Sequence, residues 1–219
     1  MNSRVNERAA RLKPVLEQLG FGEACPKGIY LVVPVTSGIL LWDLAKKHGF
    51  ADLDRVRKDF PAEYEFQVLR QNRNAAEHLA SFAAKRFPGE VVVNPWTVEV
   101  PGWSQAQYRR AWKGFILRFA KTLVVASGWQ YSHGCVEEVT HALKHRIRIV
   151  NDSDCKLSFR DAYKAIDAAR IFAIKNKLRA PFLGKFLAKL GGNNSLLKGV
   201  AIHPSGNKSS RRNRRRLSP

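Results

Sequence analysis

Two adjacent glutamates, Glu137 and Glu138, follow a serine–glycine turn and are the side chains of this chain best suited to chemistry. The turn contains Gly128, Ser132 and Gly134, and a helix is predicted to begin directly after it. We therefore place both carboxylates in the first helical turn, where the helix dipole favours negative charge and keeps it ionised at neutral pH. An ionised carboxylate that faces a ligand crevice can act as a nucleophile. The alternative is that both acids only stabilise the helix terminus, as first-turn acids do in many helices.

The residues on either side of this turn predict the elements that position the carboxylates. An apolar run over residues 123–126 predicts a strand before the turn, and a second run over residues 147–150 predicts a strand after the helix. Strand, turn, helix and strand form one right-handed βαβ unit of a parallel sheet. Ligands of such sheets bind outside the carboxyl ends of the strands, where the turn meets the helix. We therefore expect the glutamates at the ligand-binding edge of the sheet.

Earlier residues predict the rest of the sheet. Residues 29–35 are almost continuously apolar and predict a strand buried on both faces, and residues 90–94 predict a second strand that ends at Pro95. The turn Thr36-Ser37-Gly38 brings hydroxyl and backbone N–H groups to the end of the first strand. Helices are predicted over residues 4–19, 40–48, 62–69, 74–87, 105–119 and 158–177. The predicted fold class is α/β: a doubly wound, flavodoxin-like parallel sheet of four to five strands with helices on both faces.

Charge and composition divide the chain into three parts. The net charge is +20, but residues 156–219 contain 16 Lys and Arg against 2 acidic residues, a net of +14 that leaves +6 for the first 155 residues. We predict an N-terminal helix and lead-in over residues 1–28 and the α/β domain over residues 29–180. Within that domain, residues 39–71 are interpreted as an insertion or lid. Residues 181–219 form a basic C-terminal extension.

The extension contains two basic features. Residues 181–190 predict a short amphipathic helix, which either docks on the domain through Phe182, Phe186 and Leu190 or binds a membrane surface or a partner. An arginine cluster follows, and it predicts sequence-independent binding to nucleic acid phosphates, with an address read by a receptor as the alternative. The cluster consists of Arg211, Arg212, Arg214, Arg215 and Arg216.

The remaining composition indicates a cytoplasmic protein. Three cysteines lack any metal-ligand spacing, which favours a reducing compartment, and we expect neither a metal nor a cofactor. No apolar segment has the length of a signal sequence core or a membrane span. Cys135 is interpreted as a small buried residue rather than a nucleophile, and His133 and His141 as structural or exposed histidines. The tryptophans Trp96 and Trp103 are interpreted as structural, with a role in lining a base pocket as the alternative.

Three motifs together resemble the nucleoside 2-deoxyribosyltransferase-like superfamily, in particular its small bacterial and phage members of unknown function. The first two are an apolar strand with a proline near its end, at residues 29–34, and a strand that ends in Asn94-Pro95. The third, Gly-Trp-x-x-Ser-x-Gly-x-x-x-Glu, is the most specific, and the resemblance extends over roughly residues 29–151. It is matched by Gly128, Trp129, Ser132, Gly134 and Glu138.

The resemblance implies glycosidic chemistry on nucleosides or nucleotides. In this family the glutamate of the motif attacks the anomeric carbon of the sugar and displaces the base, which corresponds to Glu138, with Glu137 one residue too early. Ser132 would hold a sugar hydroxyl or a phosphate, and a homo-oligomer is expected, since family members often build sites across subunits. The implied substrate-binding set is Tyr30, Pro34, Ser37, Gly38, Asn94, Pro95, Trp129, Ser132 and Gly134.

One departure from the family affects the expected reaction. Transferases of this superfamily carry an aspartate in the helix before the third strand, whereas here that helix contains Arg109, Arg110 and Lys113 and no acid. Hydrolysis is therefore expected rather than base transfer, and the three cations favour a phosphorylated ligand unless they are only solvated helix charges. Two alternatives stay open: a non-catalytic nucleotide-binding or nucleic-acid-associated module, and a glycohydrolase of dinucleotides such as NAD.

Overall fold

Four parallel strands form the centre of the computed structural model, which describes residues 13–20 and 26–191. The strands are β1 (Gly28–Val32), β2 (Val92–Val93), β3 (Ala120–Val125) and β4 (Arg148–Asn151), in the order β2-β1-β3-β4. The chain leaves β1 for β2 on one side and returns to β3 and β4 on the other, so that β1 and β3 are neighbours. This order creates a topological switch point between them. The predicted doubly wound α/β fold is confirmed.

Successive side chains of a strand point to opposite faces of the sheet, and a hydrophobic core lies on each face. All five residues of β1 are buried. Tyr30 and Val32 belong to the larger core, whereas Ile29 and Leu31 point to the smaller core on the opposite face. The prediction of a strand buried on both faces is therefore confirmed.

Two strands are shorter than their apolar runs predicted. The first ends at Val32 rather than at residue 35, and the second contains only Val92 and Val93. In both places a proline follows, Pro34 and Pro95, and a proline has no N–H group to continue a ladder of hydrogen bonds. The residues after each strand instead form the loops that surround the site.

Helices follow the predicted order, with two differences. Residues 61–86 are continuously helical through a π-helical turn (Glu65–Leu69), where two separate helices were predicted. The helix Leu53–Asp59 was not predicted; Asp52 caps it by accepting a hydrogen bond from the Asp54 N–H group. Residues 13–18 are also helical. The helices are α1 (Ile39–Lys47), α2 (Leu53–Asp59), α3 (Pro61–Tyr64), α4 (Arg70–Arg86), α5 (Gln105–Phe119), α6 (His133–Lys144), α7 (Phe159–Lys175) and α8 (Pro181–Gly191).

The helices cover the two faces of the sheet unequally. Helix α4 packs on the smaller core through Ala76, Leu79 and Ala83, whereas the other long helices pack on the larger core. Ser158 caps α7 together with Asp161 in a capping box.

The amphipathic segment of the C-terminal extension forms α8, which packs against α6 and α7. Its apolar face is buried, so the docked alternative is the one observed. Among residues 13–20 and 26–191, no helix combines the length and apolar character needed to cross a membrane. The predicted arginine cluster at residues 211–216 lies outside the described residues.

Candidate active site

A cavity of about 820 Å³ opens at the carboxyl ends of β1 and β3, the position expected for a ligand site in this fold. Its wall includes five residues predicted from the sequence: Ser37, Pro95, Ser132, Gly134 and Glu138. They come from the loop after β1, the loop after β2, and the start of α6. The sheet order thus brings together side chains that are up to about a hundred residues apart in the chain.

Glu138 lies at the inner wall of this cavity and is only 8% exposed. Its Oε1 atom accepts a hydrogen bond of 2.9 Å from the Tyr30 hydroxyl on β1. The Tyr30 ring is fully buried and packs against Trp112 and Phe115 of α5, at centroid distances of 5.5 and 6.0 Å. Because burial also raises the pKa of Tyr30, the phenol keeps its proton and remains the donor.

The charge state of Glu138 differs from the prediction. Burial raises the pKa of Glu138 from 4.5 to about 8; the hydrogen bond from Tyr30 lowers this pKa and the charge of Glu137 raises it. The helix begins at His133, so that Glu137 and Glu138 lie in its second turn and not in the first, which contains no acid. The helix dipole acts mainly within the first turn, and for this reason desolvation outweighs it here. The prediction of an ionised carboxylate is therefore wrong, because this raised pKa leaves Glu138 protonated at neutral pH.

Glu137 has a different environment, although it is the adjacent residue. Its carboxylate pairs with the Lys113 ammonium at 2.6 Å and with the Arg109 guanidinium at 3.3 Å, both from α5. Glu137 does not line the cavity. Of the two candidate carboxylates, Glu138 is thus the one that lines the cavity.

Two serine hydroxyls meet at the wall of the same cavity. The Ser37 hydroxyl donates a hydrogen bond of 2.9 Å to the Ser132 hydroxyl, which joins the loop after β1 to the start of α6. Ser132 occupies the N-cap position of α6, but its side chain makes no capping hydrogen bond and is 4% exposed. Its hydroxyl is therefore committed to the cavity wall rather than to the helix terminus.

Side chains from two helices hold the loop that carries Ser37. Arg57 and the Tyr64 hydroxyl each donate a hydrogen bond of 2.9 Å to the Thr36 carbonyl. The Asn72 amide donates to the carbonyls of Val35 and Ser37, at 3.1 and 2.8 Å. Helix α2 and the helix over residues 61–86 therefore determine where the Ser37 hydroxyl lies.

Five residues of the predicted substrate-binding set do not line the cavity: Tyr30, Pro34, Gly38, Asn94 and Trp129. Trp129 is 5% exposed and belongs to the larger core, and Tyr30 lies beneath Glu138. Their roles are to support the residues that do.

Gly38, Pro34 and Asn94 support the loops of the cavity. Gly38 has φ of 99°, and a Cβ atom there would lie 2.9 Å from the Pro34 Cβ atom. The Asn94 side chain accepts a hydrogen bond from the Trp96 N–H group at 3.1 Å and caps the 3₁₀ turn Pro95–Thr97. The Trp96 indole in turn donates to the Pro34 carbonyl at 3.2 Å. Each of these contacts positions backbone at the carboxyl ends of β1 and β2.

Several cavity residues were not predicted, because no motif contains them. They come from α2 and its N-cap, from α5 and from the loop before α8, and only the fold brings them together. They include Asp52, Asp54, Arg57, Trp112 and Arg179.

Cys135, near the start of α6, is buried as predicted, whereas His133 contacts both α8 and the cavity. Burial raises the pKa of the Cys135 thiol, so this side chain is a protonated core residue and not a nucleophile. The His133 ring stacks on Phe182 of α8 at a centroid distance of 4.8 Å. His133 also lines the cavity.

Comparison with protein-family models, with curated proteins and with solved structures gave no match to this chain.

Proposed function

We propose that this protein is an N-glycosidase that cleaves the bond between base and sugar of a nucleoside or nucleotide, with Glu138 as nucleophile. The observation that supports it is the Glu138 carboxyl group, which lies at the wall of the cavity between β1 and β3 with Tyr30 as its hydrogen-bond donor. The cavity volume of about 820 Å³ is within the range of pockets for small molecules.

In the first step, the Glu138 carboxyl group releases its proton to the solvent, and a carboxylate oxygen then forms a bond to the anomeric carbon as the bond from that carbon to the base nitrogen breaks. The electron pair of the broken bond leaves with the base, which takes a proton from the solvent. Water then attacks the same carbon and releases the sugar and the carboxylate. Capture by the carboxylate divides one difficult displacement into two easier ones. The paired hydroxyls of Ser37 and Ser132 are suited to hold a sugar hydroxyl during both steps.

Helix α5 favours hydrolysis over base transfer. It presents Arg109 and Trp112 to the cavity and contains no acid that could protonate or bind a departing base. A second base would therefore find no dedicated carboxylate partner on this helix, whereas water needs none.

Replacing Glu138 by glutamine tests the proposal. The Glu138→Gln variant keeps the side-chain volume and a hydrogen-bond acceptor for Tyr30 but removes the nucleophile, and we expect base release to fall roughly a thousandfold or more. The assay is chromatographic detection of free base from a panel of nucleosides, 5′-monophosphates and NAD.

A matched control is Glu77→Gln, which changes an exposed glutamate of α4 outside the cavity and leaves base release unchanged. Equal base release by the wild type and Glu138→Gln would overturn the proposal. So would loss of activity in Glu137→Gln with full activity in Glu138→Gln.

A non-catalytic nucleotide-binding module is the second candidate. The raised pKa of Glu138 favours it, because a protonated carboxyl binds ligands by hydrogen bonds but does not attack carbon. This candidate predicts that a nucleotide of the same panel binds without release of base.

A further inference from the structure

Basic side chains from three helices lie around His133, which is itself a residue of the cavity wall. We call this group the basic rim: Arg109 of α5, His133 of α6, and Lys185 and Lys189 of α8. Arg109 and His133 line the cavity itself. Helix α8 is held there by its buried apolar face and by the stacking of Phe182 on the His133 ring. The rim is therefore part of the packed domain.

The charges of the rim lie close together. Burial is the largest cause that lowers the pKa of His133, and the charges of Arg109, Lys185 and Lys189 lower it further, while Glu137 raises it. The Lys189 ammonium lies 5.0 Å from the centroid of the Phe186 ring, and that ring lies 5.9 Å from the His133 ring. Both lysines are exposed and are four residues apart, on one face of α8.

Acidic side chains do not balance this charge. Glu137 is shared between Arg109 and Lys113, so one carboxylate serves two cations. In the described ranges 13–20 and 26–191, neither Lys185 nor Lys189 forms an ion pair. Around His133, the charges of Arg109, Lys185 and Lys189 thus face one carboxylate, that of Glu137, and this local excess of positive charge attracts an anionic ligand.

We propose that the basic rim binds a phosphate group of the ligand, so that the substrate is a nucleotide and not a nucleoside. This inference rests on the proposed function and names its substrate class. Ammonium and guanidinium groups form charge-assisted hydrogen bonds with phosphate oxygens, and these are stronger than bonds between neutral groups. Two of the four rim residues belong to α8, which lies beyond the range over which the chain resembles the deoxyribosyltransferase-like superfamily.

The test compares two double variants of the full-length chain by calorimetric titration. In Lys185→Gln/Lys189→Gln, the rim loses two charges from exposed positions. The control, Lys164→Gln/Lys175→Gln, loses two exposed charges from α7 outside the cavity. The probes are inorganic pyrophosphate, the four 2′-deoxynucleoside 5′-monophosphates, the four deoxynucleosides, and a single-stranded oligonucleotide. The arginine cluster is present in all variants, so its contribution cancels.

We expect pyrophosphate and at least one monophosphate to bind the rim variant about tenfold or more weakly than the wild type and the control. Deoxynucleoside binding should be equal in all three. The inference is overturned if both double variants lose the same affinity, if the wild type binds monophosphates no better than deoxynucleosides, or if only oligonucleotide binding changes. Phosphate-dependent binding without base release would refute the proposed enzyme activity but support phosphate binding by the basic rim. Base release at equal rates from deoxynucleosides and their monophosphates would refute phosphate binding by the basic rim but support the proposed enzyme activity.

Discussion

At the scale of single residues, the sequence predicted that Glu138 and Ser132 line the cavity, because both belong to one local motif. Within that motif, spacing alone relates them to a predicted turn. The partner of Glu138 was not recognisable in the same way. Tyr30 was assigned to substrate binding, but it lies beneath the carboxyl group and donates to it from 108 residues away. That contact requires Tyr30 to lie on one particular face of β1 and Glu138 to lie on the side of α6 that faces the sheet. The sequence predicts each of these, but not their relative position.

The hydrogen bond from Tyr30 predicts a pH effect. This bond lowers the Glu138 pKa, which burial raises to about 8, so Tyr30→Phe raises the pKa further. If the ionised carboxylate is the nucleophile, kcat/KM of the wild type rises with pH towards a plateau above about 8. For the Tyr30→Phe variant, we expect kcat/KM to rise at a higher pH than for the wild type.

The measurement is the pH dependence of kcat/KM for both proteins, with Tyr163→Phe on α7 as a control that keeps the wild-type profile. A wild-type profile that falls as pH rises through 8 would instead make Glu138 a proton donor, contrary to the nucleophile assignment.

At the scale of elements, the helices were predictable where an apolar period of 3.6 residues is long, as in α5 and α7. Helix α2 was missed because only Val56 is buried along its seven residues, so it has almost no apolar period. The strands were predicted in the correct order, but β1 and β2 were predicted too long. The reason is that the apolar residues continue beyond the end of each strand into the loop that follows. The loops around the cavity depend on backbone conformation, which composition does not specify.

Gly38 provides a test of that dependence. A Cβ atom at Gly38 meets Pro34 at 2.9 Å with φ of 99°, whereas Gly49, with φ of 70°, has no atom within 4 Å of such a Cβ. Gly49→Ala is expected to cost about 1 kcal/mol of unfolding free energy for its left-handed backbone, and Gly38→Ala roughly 2–4 kcal/mol because a steric clash is added.

Urea unfolding of both variants measures the difference, and base release should fall only in Gly38→Ala, since this change displaces the neighbouring Ser37. Equal destabilisation by the two substitutions would show that Pro34 yields easily and that Gly38 does not hold the loop.

At the scale of the whole molecule, burial of Glu138 links stability to pH. The folded protein retains the Glu138 proton up to a pKa of about 8, but the unfolded chain releases it near the ordinary value of 4.5. The contribution of this group to the unfolding free energy is therefore fully present below pH 4.5 and is lost as the pH rises from 4.5 to about 8. Glu138→Gln does not titrate, so its advantage in unfolding free energy should grow between pH 5 and pH 8, to on the order of 4 kcal/mol.

Urea unfolding of the wild type and Glu138→Gln at several pH values measures this gap, while other ionisable groups contribute equally to both proteins and cancel. A gap that stays constant over the range would mean that the carboxyl ionises normally in the folded protein.

The loop over residues 33–38 has one more consequence. Arg57, Tyr64 and Asn72 together make four hydrogen bonds to three successive carbonyls of this loop, and releasing all of them would cost roughly 4 kcal/mol. This wall of the cavity is thus preorganised before any ligand arrives. Little conformational entropy remains to be lost there on binding, so this side of the cavity discriminates between ligands by rigid fit, not by closing around them.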